Sequence, residues 1–97
     1  MIRKYLVCGK QVFMASHKAE VEREGLYIVE TLLPIRVFWK AQKLVEKSEY
    51  MIATGEDQSA INEVYLDLFR LIVPYSVMEK DRLWLYDKIQ TKYAGFT

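Results

Sequence analysis

Ninety-seven residues, 52% hydrophobic and 28% charged, suffice for one domain (1–97) with a single modest core, and that balance excludes a globally disordered chain. A net charge of +1, one cysteine, one histidine and four scattered glycines exclude an internal disulfide, the usual zinc sites and a Gly-rich phosphate loop. No apolar run approaches the roughly 20 residues of a membrane-spanning helix, and Lys10 interrupts the N-terminal apolar run short of signal-peptide length. The expectation is a cytoplasmic protein with no membrane contact, cofactor or bound metal.

Residues 3–15 read as a β-hairpin. Tyr5-Leu6-Val7-Cys8 and Gln11-Val12-Phe13-Met14 are strand-like runs around Gly9-Lys10, and a glycine opening a two-residue loop suits the positive φ of a type II′ turn. That register sets Val7 opposite Val12, Tyr5 opposite Met14 and Leu6 opposite Phe13, with both faces apolar. An isolated hairpin is marginal, so helices or further strands must cover it. Cys8, on such a strand, reads as a small buried hydrophobe rather than a nucleophile.

From Ser16 the apolar period lengthens. Val21, Gly25, Ile28 and Leu32, flanked by Val29 and Leu33, fall on one helical stripe, which predicts a helix over 17–33. Gly25 weakens it, and 26–33 also fits a third strand. Carboxylates Glu20, Glu22 and Glu24 spread around such a helix instead of converging.

Residues 34–54 give the cleanest helix. Pro34 suits its first turn, and Val37, Phe38, Ala41, Leu44, Val45, Ser48, Met51 and Ile52 form one arc. Gly55 is a natural stop. A helix over 58–73, started by Asp57 or Ser59, is apolar round more than half its circumference. This places it at the centre of a bundle or in an assembly interface. Pro74 ends it. Ser76 and Glu79 match a capping box for a last helix over 77–94, with Met78, Leu85, Ile89 and Tyr93 as its core stripe and Gly95 as its stop. Arg82 falls in that stripe, so its guanidinium must reach out or find a partner. The fold class is α+β and mainly helical, a hairpin followed by a bundle of three or four helices.

The chemistry-bearing signal is apolar surface in polar places. Arg36, Lys40, Lys43 and Lys47 fall within about 60° of one another on the 34–54 helix, opposite its core arc, with Trp39 and Tyr50 beside them. On the last helix Trp84 and Leu83 fall off the core stripe. Either another element covers these faces and the tryptophans are core, or they are anchors of a protein interface, where Trp, Tyr and Arg are enriched. A third reading is a phosphate-binding strip with stacking rings, diluted by Glu46 and Glu49. Nothing nominates a catalytic group. The sequence therefore predicts a non-enzymatic interaction, assembly or accessory protein that binds a protein partner and self-associates. The alternative is a nucleic-acid-binding accessory factor using the basic face of residues 36–47.

Overall fold

The computed structural model describes residues 1–21 and 26–93. Three strands precede three helices: β1 (Ile2–Cys8), β2 (Val12–Ala15), β3 (Tyr27–Leu33), α1 (Ile35–Ala53), α2 (Gln58–Ile72) and α3 (Glu79–Thr91). The class is α+β, and the strands form one antiparallel sheet in the order β2-β1-β3.

The helix expected over 17–33 does not form. A 3-10 turn at Lys18–Glu20 leads towards β3, and Gly25 lies outside the described residues. Ile28, Val29 and Thr31 are β-branched and suit a pleated surface. Their neighbours alternate in burial, with Val29, Thr31 and Leu33 buried and Ile28, Glu30 and Leu32 partly so. Apolar residues on both faces of this strand imitate a helical stripe. The free edge of β1 supplies the hydrogen-bonding partner that decides for strand, and it pairs with β3 along its whole length, from Ile2↔Leu33 to Cys8↔Tyr27.

The hairpin is present in a different register. Cys8 faces Val12, Val7 faces Phe13, Leu6 faces Met14 and Tyr5 faces Ala15, so the loop is the three residues 9–11, closed by the Gly9 N–H donating to the Gln11 carbonyl (3.1 Å). A one-residue slip moves every side chain of β2 to the other face. The register found puts Leu6, Cys8, Val12 and Val29 together in the core shared with the helices. Gly9 does not adopt the positive φ that a type II′ turn requires; among the described residues Gly55 is the glycine that does. A Cβ added at Gly9 would land on the Leu26 Cδ2, so the end of the Leu26 side chain would have to move to make room for it.

β2 and β3 run in the same direction on either side of β1, so the chain between them crosses the sheet. Val7 and Val21 are buried outside the helix-side core. Lys18 lines a cavity of about 180 Å³ with Tyr5, Ile28 and Glu30, on the sheet face opposite Leu6, Cys8 and Val29, and with Met78, Lys80 and Asp81 at the start of α3.

The helices cover the other face. α1 buries Ala41, Val45 and Ser48 and ends in a Schellman motif, with Gly55 at φ 74°, the Glu56 N–H donating to Met51 and the Gly55 N–H to Ile52. α2 lies between α1 and α3, packed on both, and buries Ile61, Val64, Tyr65, Leu66, Leu68, Phe69 and Ile72. That central place accounts for its wide apolar arc without an assembly interface.

The capping box at Ser76 is not formed. α3 begins at Glu79, after Met78, because Ser76 and Val77 extend along the outer edge of β3. Ser76 bridges to Thr31, and the Val77 N–H donates to the Glu30 carbonyl (3.0 Å). Met78, expected in the core, is exposed. Arg82 donates to the Ser76 carbonyl (2.8 Å) and so secures this extra edge segment. α3 ends at Thr91 with Lys92 left-handed at φ 58°, and Gly95 lies outside the described residues. Tyr93 is buried, and its hydroxyl donates to the Gly9 carbonyl.

Gly9→Val should destabilise the fold by about 1–3 kcal/mol through overpacking against Leu26. Combined with Leu26→Ala, the change should cost less than the two single substitutions together, as measured by denaturant unfolding. Strict additivity would show that Leu26 is not what the added side chain meets.

Candidate functional site

Two helices carry the side chains singled out in the sequence. On α1, Ala41, Val45 and Ser48 fix which side faces α2 and the sheet, and at 100° per residue the opposite side carries Ile35, Trp39, Lys43 and Tyr50. Ile35, Trp39 and Tyr50 are 64%, 56% and 71% exposed. Arg36, Lys40, Lys43 and Lys47 are exposed along one flank of this row, and among the described residues none of the four is ion-paired. Trp39 keeps a tilted contact with Phe38 (5.3 Å between ring centroids), whose own ring lies under the Lys4 ammonium.

This arrangement opposes helix stability. Arg36–Lys40, Lys40–Lys43 and Lys43–Lys47 are like-charge pairs at i,i+4 or i,i+3 spacing, each unfavourable by about 0.2–0.5 kcal/mol. Arg36 also sits in a first turn with no acidic residue, at the positive end of the helix dipole. A cationic strip of this kind is not explained by the folding of α1.

Trp84 is placed differently from its sequence expectation. It is partly buried, stacked on Tyr27 with 4.1 Å between centroids and 6° between planes, and it meets Phe69 and Tyr93 edge-on. The Lys88 ammonium lies 5.5 Å from its ring centre. At the same corner the Tyr27 hydroxyl donates to Asp81 (2.7 Å), a carboxylate buried in the first turn of α3. The helical stripe missed this because Tyr27 arrives from β3, an element expected as helix. Leu83 is 62% exposed and lies close on the helix surface to Tyr86, 58% exposed, an outward aromatic that the sequence reading did not single out.

Cys8, Tyr27 and Tyr93 are held in their neutral forms. Burial, then the Asp81 carboxylate, pushes the Cys8 thiol well above its ordinary range, which makes it a poor nucleophile near neutrality. Burial, then the bond to Asp81, pushes the Tyr27 phenol up to about 12. Burial, with Cys8 and Tyr65 nearby, also raises Tyr93. Among the described residues no three His, Cys, Asp or Glu side chains are grouped to hold a metal ion, and no helix is long and apolar enough to cross a membrane. Comparisons with protein-family models, with curated proteins and with solved structures found no match.

The two tryptophans should separate on substitution. Trp84→Ala should cost about 2–4 kcal/mol of stability, towards the range of buried aromatic truncations, and Trp39→Ala less than about 1 kcal/mol. Equal losses in chemical denaturation would place Trp39 in the core. A pH effect follows from the raised acids. The folded chain keeps protons that the unfolded chain releases around 9.0 and 10.0, so above about pH 9 the unfolded state binds fewer protons and stability falls as pH rises. The melting temperature should decline from about pH 9 upward, with a later onset in Cys8→Ala. A flat profile to about pH 10.5 would contradict the burial of these groups.

Proposed function

We propose that this protein is a small non-enzymatic interaction module, an assembly or accessory factor that holds a protein partner on the outer face of α1. The observation that carries the reading is the exposure of Ile35, Trp39 and Tyr50 beside four cations that make no ion pair among the described residues. Burying a large apolar side chain is worth about 1.5–3 kcal/mol, so leaving three on one helix face forgoes stabilisation that a partner can recover. Aromatic anchors give such a contact its affinity, and the surrounding cations set its orientation and on-rate. The partner's complementary surface is apolar with acidic residues at its margins.

The cationic strip with two aromatic rings also suits nucleic acid. Three features favour protein. Ile35 has no ring on which a base can stack. Trp39 and Tyr50 are eleven residues apart, about 16 Å along the helix, too far apart to stack neighbouring bases. Glu46 and Glu49 are exposed on the same helix and would repel phosphates.

The two classes respond oppositely to mutation. For a protein partner, Trp39→Ala should weaken binding more than Lys40→Gln with Lys43→Gln, by about tenfold or more. For nucleic acid, the lysine changes should dominate and flatten the salt dependence. Titration of each variant, first against the chain itself and then against single-stranded and duplex oligonucleotides, makes the distinction. If Trp39→Ala and the lysine changes leave every association unchanged, the face is not a binding surface.

A further inference from the structure

We infer that residues 76–78 form a strap with two states. In one they lie along the edge of β3, and in the other they add a first turn to α3, capped by Ser76. The structure described above is the first state. Ser76 bridges to Thr31, the Val77 N–H donates to the Glu30 carbonyl (3.0 Å), and Arg82 holds the Ser76 carbonyl (2.8 Å). This hold is narrow. It is a single bridge on a strand of seven residues, whereas the other edge of β3 is paired with β1 throughout.

The strapped state leaves two groups unused. Ser76 is 5% exposed, and its hydroxyl makes no hydrogen bond among the described residues, so it has lost water without a replacement. α3 has Met78 at its N-cap and no side-chain cap, so the N–H groups of its first turn lack the acceptor that a serine supplies. The capping box of Ser76 and Glu79 would serve both ends. In it the Ser76 hydroxyl accepts from the Glu79 N–H, and the Glu79 carboxylate accepts from the Ser76 N–H. Glu79 is exposed and makes no ion pair among the described residues.

The change is confined to two residues. Ser76 already has the extended backbone of an N-cap, at φ −68° and ψ 133°, and Glu79 is already helical. Only Val77 and Met78 must turn, and both are exposed and outside the core. The Arg82 N–H already donates to the Met78 carbonyl, a bond that the longer helix keeps. The two states exclude each other. Two extended residues span about 6.6 Å and two helical ones about 3 Å, so the added turn draws Ser76 off β3. The Ser76 carbonyl is contested as well, since it accepts from Arg82 in the strap and from the Lys80 N–H in the longer helix. The added turn therefore opens the edge of β3 at Glu30 and Thr31, which the strap keeps closed to other strands.

Amide hydrogen exchange and backbone carbon chemical shifts on the full-length chain test the switch. In the wild type the Val77 amide should exchange about tenfold or more faster than the amides of the β1–β3 ladder, because the strap opens without the sheet. Ser76→Ala removes the cap and takes no side-chain bond from the strap, so it should slow Val77 exchange by about tenfold. Arg82→Met removes the clasp and should accelerate it by about the same factor. Val77→Pro cannot donate to Glu30 and suits the first position of a helix, so the carbon shifts of position 77 and Met78 should become helical. Val77 exchange at the rate of the ladder in the wild type overturns the inference, as does unchanged or faster exchange in Ser76→Ala. A folded Val77→Pro chain with Met78 still extended overturns it too. If that variant does not fold, the exchange rates of the other two decide.

Discussion

The contact on which the rest of the structure depends is the corner where Tyr27 meets α3. Its ring lies flat on Trp84, and its hydroxyl is held by the buried Asp81. Asp81 stands in the first turn of a helix, where a carboxylate is favoured by the helix dipole. One residue at the start of β3 thereby fixes both the position and the rotation of α3. Tyr93 makes the complementary tie from the other end of that helix, with its hydroxyl on the carbonyl of Gly9 and its ring edge-on to Phe69 and Tyr65. Sheet, turn and last helix are joined by aromatic contacts in which the Tyr27 and Tyr93 hydroxyls are hydrogen-bonded, the arrangement in which Tyr gives the most.

That corner also determines what is left outside. With Leu85 and Asp81 turned in, Leu83 and Tyr86 must turn out. On the other side of α2 the burial of Ala41, Val45 and Ser48 does the same for α1 and exposes Ile35, Trp39 and Tyr50. The proposed interaction surface on α1 is therefore a consequence of the core, because the residues that set the rotation of the helix lie on the opposite side from those offered to a partner.

The sheet shows how non-local pairing overrides local pattern. Residues 26–33 fit a helical stripe as well as a strand, and no signal within the segment distinguishes the two strongly. The unsatisfied edge of β1 does, since seven residues of extended backbone need a partner. Once β3 occupies that edge, Tyr27 reaches Trp84, the segment after Pro74 pairs with the outside of β3, and α3 starts two residues later than its sequence signal. The hairpin register follows the same logic, since the pairing that collects Leu6, Cys8, Val12 and Val29 on the helix side gains more burial than the shorter loop.

The sequence by itself determined the α1 helix and its rotation, the stop at Gly55, the extent of α2 and its narrow polar strip, and the outward placing of Trp39, Tyr50, Leu83 and the four cations. These are properties of single helices, in which the side-chain period and the terminal residues act locally. Only the tertiary structure decided that residues 27–33 form a strand, that Gly9 lies against the Leu26 side chain without the positive φ of a turn, that Trp84 is packed against Tyr27, and that Tyr86 joins Leu83 outside. Each of these depends on residues distant in the chain meeting across the sheet or the core, and side-chain periodicity along one segment carries no information about which segment will lie against it.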